Sequence, residues 1–333
     1  MKVSVIGAGS WGTAVAWLLS HNGSDVTLWC HSADQALHIR GRHRNPRYLS
    51  DVDLSGIEAT SSFEDAARGA SALVLVTPSS AVRETLEGLA PHVGESLPVV
   101  MLSKGIERET GMLMTDICSD VLGNPERIAA LSGPNHAEEV SKGLPAATVV
   151  ASSDVRCARF FQSLFMSETF RVYTSSDVIG VELCAASKNI IAIACGIASG
   201  LGYGDNTAAV IMTRGLAEMS RLVEALGGDP LTCMGLAGMG DLVATCSSRH
   251  SRNRRLGELV ASGGTLEEFS ARTHMVAEGA YAALSVTDLA ARHGVELPLS
   301  ETVRKVLWEG LALEGILETL MHRPPKPEFD TSR

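Results

Sequence analysis

Lys2-Val3-Ser4-Val5-Ile6-Gly7-Ala8-Gly9-Ser10-Trp11-Gly12 is the stretch on which the fold turns. Five residues of β character run into three glycines at positions 7, 9 and 12. Thr13 to Ser20 then reads as helix until Asn22-Gly23 breaks it, and Val26-Thr27-Leu28-Trp29 is a second apolar run. Strand, glycine turn, helix and strand within about 30 residues open a βαβ unit. Each glycine has its own reason. Gly7 permits a tight turn out of the strand, Gly9 leaves room for a pyrophosphate against the backbone, and Gly12 lets the helix pack on the strand. The helix N-terminus at Ser10 and Trp11 offers free N–H groups and the positive end of its dipole to phosphate. A plain strand-to-helix turn is the bland alternative. A turn that leaves a strand and opens a helix favours the dinucleotide site.

Outward from that turn, Ala72–Thr77, Pro98–Leu102, Ile128–Leu131 and Ala147–Ala151 are short, continuous apolar runs. Runs of this kind fit strands buried on both faces, and alternation with helical segments predicts an α/β fold with a doubly wound parallel sheet. After about Ser176 the texture becomes helical. Val178–Ser199, Thr207–Leu226, Leu256–Ala261, Ala277–His293 and Ser300–Trp308 carry helical spacing. The expected division is a dinucleotide-binding domain over 1–178, an all-α substrate and catalytic domain over 179–322, and a frayed tail over 323–333.

A length of 333 residues with 45% hydrophobic side chains suffices for two cores. The net charge of −10, with no dense basic run, argues against a nucleic-acid partner. No apolar stretch of about 18 residues escapes a charge or glycine, so no membrane span is expected, and the N-terminus lacks a secretory pattern. These features point to a cytoplasmic protein. The seven cysteines form no CxxC pair, and with the scattered histidines they offer no metal-ligand spacing. They read as buried reduced thiols, with no metal site.

The candidate chemistry lies further along. Lys104, in Leu102-Ser103-Lys104-Gly105, follows a strand at the sheet edge where ligands of open α/β sheets bind; a solvated lysine is the alternative. Ser132-Gly133-Pro134-Asn135 ends another strand at the same edge, as a site or as a simple turn. Lys188 and Asn189 interrupt an otherwise apolar helix. A buried ammonium is costly and its pKa falls on desolvation, which suits proton transfer, whereas a lysine snorkelling at a helix edge needs no function. The stretch Gly240 to Arg255 combines Asp241, several hydroxyls, Asn253 and four arginines. Ser251, Arg252 and Asn253 together match a phosphate's needs, and a solvated basic loop is the alternative. No acid stands directly after the second strand, where Trp29-Cys30-His31-Ser32 occurs. A carboxylate there would repel a 2′-phosphate, so NADP is expected to be accepted, alongside or in preference to NAD.

Five blocks resemble the bacterial type of NAD(P)-dependent sn-glycerol-3-phosphate dehydrogenase. They are GAGSWGTA at the start, LSKGIE around Lys104, LSGPNHAEEV around Gly133, ASKNIIAIACGIASGLGYGDNTAAVIMTRGLAEM around Lys188, and GLAGMGDLVATCSSRHSRNRRLG around Asp241. The likeness covers nearly the whole chain before the tail. It implies a Rossmann domain followed by a helical domain, a homodimer, and reversible hydride transfer between sn-glycerol 3-phosphate and dihydroxyacetone phosphate for phospholipid synthesis. It implies Lys188 as proton acceptor, Asp241 against it, and Lys104 touching substrate and cofactor. Gly133, Asn135, Ser251, Arg252 and Asn253 complete the implied substrate site, with Asn135 standing where many members have Ser or Thr. The implied cofactor contacts are Ser10, Trp11, His31, Lys104, Ala137, Arg252, Val276 and Glu278. Two rivals remain at this point: a β-hydroxyacid dehydrogenase, which binds a carboxylate, and a dinucleotide-sensing regulator, which needs no proton acceptor.

Overall fold

The computed structural model describes residues 1–273, 277–316 and 328. The N-terminal half contains β1 (Lys2–Ile6), α1 (Ser10–His21), β2 (Asp25–Trp29), α2 (Ala33–Arg42), β3 (Glu58–Thr60), α3 (Phe63–Ala67) and β4 (Ala72–Leu75). It continues with α4 (Val82–Leu89), β5 (Val99–Met101), α5 (Met114–Leu122), β6 (Ile128–Ser132), α6 (Ala137–Val140), β7 (Ala146–Ala151), α7 (Val155–Phe165) and β8 (Phe170–Ser175). The eight strands form one sheet in the order β3-β2-β1-β4-β5-β6-β7-β8. Alternation along each strand divides its side chains between two faces. Val3 and Val5 of β1 join Val15 and Leu19 of α1 and Phe161 and Phe165 of α7. Ile6 points the other way, into a layer with Leu75, Leu86 of α4 and Ile117 of α5.

The expected parallel sheet holds from β3 to β6 and fails at the next step. β7 runs antiparallel to β6, with Leu131 opposite Val150, and β8 is then parallel to β7. A parallel return needs a crossover helix long enough to recross the sheet. The 133–145 connection holds only α6, a helix of four residues, so the chain turns back beside β6. The apolar run 147–151 carries no mark of its direction. Sequence patterning also passed over two edge strands. β3 has only three residues, and β8 exposes Arg171 and Tyr173 on alternate positions.

The second half contains α8 (Val178–Gly200), α9 (Asp205–Ala225), α10 (Asp241–Ser247), α11 (Arg252–Ala261), α12 (Leu266–Thr273), α13 (Glu278–Arg292) and α14 (Pro298–Trp308). Helix α8 is its axis. It spans 23 residues and is apolar enough to cross a membrane, yet 89% of its apolar window is buried within the protein. Its neighbours wrap it on all sides, and at Gly196 a Cβ would lie 2.0 Å from the Arg254 carbonyl oxygen of α11. The core around α8 also takes in Ala130, Val149 and Ala151 from β6 and β7, which seats the helices on the sheet.

The polar stretch 240–255, expected as a basic loop, is largely helical. A π-helical turn over Leu236–Gly240 feeds directly into α10, and Ser251 caps α11 by accepting from the Arg254 N–H at 3.2 Å. Residues 252–255 are thus the first turn of a helix, because a serine N-cap satisfies one of its orphan donors.

Candidate active site

The three glycines of the turn have three different surroundings. At Gly7, with φ +119°, a Cβ would lie 2.9 Å from the Val76 backbone at the end of β4. At Gly12 it would lie 1.8 Å from the Gly7 carbonyl oxygen. At Gly9 it would meet nothing within 4 Å. Two glycines therefore serve packing, and the third faces open space. Gly9 is also the N-cap of α1 and makes no side-chain cap, so the helix presents its first N–H groups outward. This is the arrangement a diphosphate fits.

Two side chains absent from the sequence reading brace the turn from beneath. The fully buried Asn45 donates to the Ala8 carbonyl at 3.0 Å and to Thr13 Oγ1 at 2.8 Å. Gln35 of α2 donates to the same carbonyl at 2.9 Å and to Asn45 Oδ1 at 3.0 Å. Nothing in the spacing of positions 35 and 45 announces this.

Asp241, at the start of α10, is the hub of the second region. Its Oδ1 accepts from Lys188 Nζ at 2.6 Å and its Oδ2 from Lys104 Nζ at 2.7 Å. Lys188 Nζ also donates to Thr245 Oγ1 at 2.8 Å, one turn along α10. Lys188 is only 6% exposed and Asp241 only 3%, so Lys188 is not a snorkelling lysine. Burial, with Lys104 adding to it, overrides the attraction of Asp241 and brings the Lys188 ammonium down to about 8. Burial works to raise the Asp241 carboxyl, but the Lys104 and Lys188 charges outweigh it and hold the group below the ordinary aspartate value. One buried carboxylate thus binds two cations, leaving a net positive centre at the sheet edge.

The sheet's loop ends join this hub to the glycine turn. Gly7 packs on Val76 and Thr77, and Ser103 Oγ donates to the Thr77 carbonyl at 2.6 Å immediately before Lys104. Ser132 Oγ lies 3.5 Å from Asp241 Oδ2. At Gly133 a Cβ would lie 2.8 Å from Thr148 Cα, so the β6 end passes against β7 only as glycine. Asn135, which stands where many members have Ser or Thr, donates from Nδ2 to the Ala147 carbonyl at 3.0 Å. Its carbonyl oxygen is buried and has no protein partner. Ala137 opens α6 on the same side.

At the far side, α11 begins with Ser251, exposed Arg252 and buried Asn253. Asn253 donates to Asn189 Oδ1 at 2.9 Å and accepts from the Gly279 N–H at 3.0 Å, joining α8, α11 and α13. Its side chain is engaged at both ends. Arg254 is also structural, donating to the Ser247 carbonyl at 2.9 Å and pairing with Glu258 at 3.0 Å. Glu278 reaches across to the end of β4, where Ser79 Oγ donates to it at 2.6 Å. Burial raises the Glu278 carboxyl above its usual value, against the Ser79 hydrogen bonds and the Arg252 charge. His31 stands exposed just beyond β2. Val276 lies outside the described residues, as does most of the 323–333 tail.

Lys104, Gly133, Asn135, Lys188, Asp241, Asn253 and Glu278 therefore line one region between the sheet's loop edge and the helices. Thr245, Ser132 and Ser79 belong to it as well and were not singled out from sequence. Only Thr245 carried a signal, its i+4 spacing from Asp241 on one helix.

Residues 2–158 match the family described as NAD-dependent glycerol-3-phosphate dehydrogenase N-terminus, and residues 177–318 match the corresponding C-terminus. A glycerol-3-phosphate dehydrogenase [NAD(P)+] from Corynebacterium jeikeium is 46% identical over 331 residues, covering 98% of this chain and 100% of the relative. One from Moorella thermoacetica is also 46% identical, covering 99% and 98%. The crystal structure of glycerol-3-phosphate dehydrogenase from Coxiella burnetii superposes with a TM-score of 0.93 at 35% identity, covering 97% of this chain and 99% of that one. The chain belongs to the NAD-dependent glycerol-3-phosphate dehydrogenase family.

Proposed function

We propose that this protein interconverts sn-glycerol 3-phosphate and dihydroxyacetone phosphate with NAD or NADP. Family membership supports the reaction. The observation that carries the residue roles is Asp241 holding Lys188 and Lys104 at 2.6 and 2.7 Å at the same loop edge of the sheet as the glycine turn. Residues 1–178 bind the dinucleotide, through Gly9, Ser10, Trp11, His31 and Ala137, on a turn whose close packing requires Gly7 and Gly12. Residues 179–322 supply the base and the phosphate contacts.

The nicotinamide dinucleotide, when bound, accepts hydride from C2 of the alcohol or returns it to the carbonyl. Lys188 handles the matching proton. Its neutral amine takes the C2 hydroxyl proton in oxidation, and its ammonium protonates the carbonyl oxygen in reduction. Asp241 fixes the Lys188 amine in place and keeps the cationic form available. Lys104 adds a second positive charge where negative charge develops on the C2 oxygen, which is where a preset charge lowers a barrier most. Arg252 and the N-terminus of α11 suit the phosphate, since a guanidinium and free helix N–H groups both favour an anion. A dinucleotide sensor would have no use for a buried lysine–aspartate–lysine arrangement.

The end of β2 supports NADP use. Cys30 is buried, His31 is exposed, and the nearest acid, Asp34, is exposed in the first turn of α2. The family resemblance further supports a cytoplasmic homodimer that supplies glycerol phosphate for phospholipid synthesis, and sedimentation of the full chain tests the dimer. Oxidation of NADPH and NADH followed by absorbance, with dihydroxyacetone phosphate as substrate, tests the activity. Turnover with dihydroxyacetone phosphate is expected, and turnover only with 3-oxo carboxylates defeats the assignment. A preference for NADH above about a hundredfold in kcat/KM, or ~2.7 kcal/mol, defeats the NADP reading.

A further inference from the structure

Four of the seven cysteines meet in two pairs, each joining α8 to a segment beside Asp241. Cys184 lies one helical turn before Lys188, and its Sγ donates to Cys233 Sγ at 3.6 Å. Cys195, two turns after Lys188, faces Cys246, the residue following Thr245. All four are free thiols, and the proton chemistry at Lys188 uses none of them.

The Cys184–Cys233 pair is held in register from outside. Asp177, just before α8, accepts from the Gly180 N–H at 2.9 Å, the Asp229 N–H at 3.0 Å and Thr232 Oγ1 at 2.5 Å. This ties the 3-10 turn Pro230–Met234, which carries Cys233, against the first turn of α8. The same turn is stacked tightly on the next segment of chain. At Gly238 a Cβ would lie 2.1 Å from the Cys233 carbonyl oxygen. The chain then passes from the π-helical turn straight into Asp241. Cys233, Gly238 and Asp241 thus lie on one closely packed segment. Beside the pair lies a solvent-open cavity of about 430 Å³ whose lining includes Val181, Thr232, Gly235 and Leu236. Thr232 adjoins Cys233 in sequence, and Val181 sits one turn before Cys184, so this lining is the layer that separates the cavity from the buried sulfurs, which are 0% exposed at Cys184 and 1% at Cys233.

We propose that Cys184 and Cys233 form an oxidant-responsive thiol pair that a hydroperoxide closes to a disulfide, displacing Asp241 and switching the enzyme off. The Cys233 sulfur attacks the peroxide oxygen, the O–O bond breaks, and water (or an alcohol) leaves with Cys233 as a sulfenic acid. The Cys184 sulfur then attacks Cys233 sulfur, the S–O bond breaks, and a second water carries off the thiol proton. The two sulfurs lose two electrons in all, and the peroxide gains them. Cys233 is the attacking sulfur because it lies on the 3-10 turn next to Thr232 of the cavity lining, whereas Cys184 is fully buried within α8; the hydrogen bond from Cys184 also draws the Cys233 thiol below the usual value. Closure brings the sulfurs from 3.6 Å to about 2.05 Å, an approach of roughly 1.5 Å.

The full-length protein is treated with hydrogen peroxide, remaining thiols are alkylated, and the digest is mapped by mass spectrometry. A Cys184–Cys233 linked peptide is expected. Turnover is expected to fall by about a hundredfold, as for a misplacement of ~1 Å at the reacting groups, and to return with dithiothreitol. Cys233→Ser and, separately, Cys184→Ala keep the untreated activity and resist peroxide. The proposal is overturned by a Cys195–Cys246 link in place of the expected one, by no link, or by inactivation that persists in both variants. The peptide map does not depend on turnover. A linked peptide from a protein inactive toward dihydroxyacetone phosphate even when reduced would count against the proposed reaction and not against the thiol pair.

Discussion

The glycine turn and the Asp241 hub both hold charge, and they do so by opposite means. The turn carries no charged side chain. Its capacity for phosphate comes from backbone N–H groups at the start of α1 and from the open space at Gly9. The hub is three ionised side chains from three segments, with Asp241 100 or more residues from Lys104 along the chain and on a different helix from Lys188. The turn tolerates no added bulk at Gly7 or Gly12, whereas the hub tolerates no lost partner. That contrast ranks the effects of substitution.

Lys188→Ala removes the proton carrier but leaves Lys104 on Asp241. We expect kcat to fall by about a thousandfold, within the range for a lost general acid–base group, with the substrate KM little changed. Steady-state kinetics with dihydroxyacetone phosphate measure this. A variant within tenfold of the parent would end the assignment of Lys188. Asp241→Asn leaves the buried Lys188 ammonium and the partly exposed Lys104 ammonium facing a neutral amide. Breaking a buried pair in this way costs about 3–5 kcal/mol, so the denaturant midpoint and kcat should drop together. An unchanged midpoint would show that the hub is not a structural support.

The turn is tested by a paired substitution. Gly12→Ala drives a Cβ to 1.8 Å from the Gly7 carbonyl, and loss of both cofactor binding and thermal stability is expected. Gly9→Ala has room in the folded protein and should melt at an unaltered temperature while its KM for NADPH rises, since the new methyl fills the phosphate space. Equal melting losses in both would erase the distinction between packing and binding glycines. Arg252→Ala should raise KM for the phosphorylated substrate by about tenfold or more with little effect on kcat, the scale of one charge-assisted hydrogen bond. An unaltered KM would remove Arg252 from the phosphate site.

The pH slope needs no substitution. Lys188 titrates at about 8, and oxidation needs its neutral form. The rate of glycerol phosphate oxidation should therefore rise about tenfold per pH unit below 8 and level off above it, while reduction should decline above 8. A flat oxidation profile from pH 6 to 9 would place the proton acceptor elsewhere.

Much of this was readable from sequence where the information is local. The helix 207–226 announced α9 within two residues at each end because its apolar spacing has one period. Lys188 stood out because an ammonium in an apolar helix needs an explanation, and its burial beside Asp241 supplies one. The direction of β7 was not readable, since an apolar run packs equally well either way. Asn253 was expected at the phosphate, yet its amide is engaged by Asn189 and Gly279, partners far from it along the chain. Asn45, Gln35 and Ser79 escaped notice for the same reason.

The sequence by itself determined the glycine turn, the sheet-then-helix order, and the family, because each is written in contiguous residues whose backbone and pattern requirements are local. Only the tertiary structure decided that Lys104, Lys188 and Asp241 share one ion centre, that Asn135 turns its amide onto the Ala147 carbonyl, and that Cys184 meets Cys233. Those facts depend on which side chains long-range packing brings within hydrogen-bond reach, and spacing along a chain does not encode that distance.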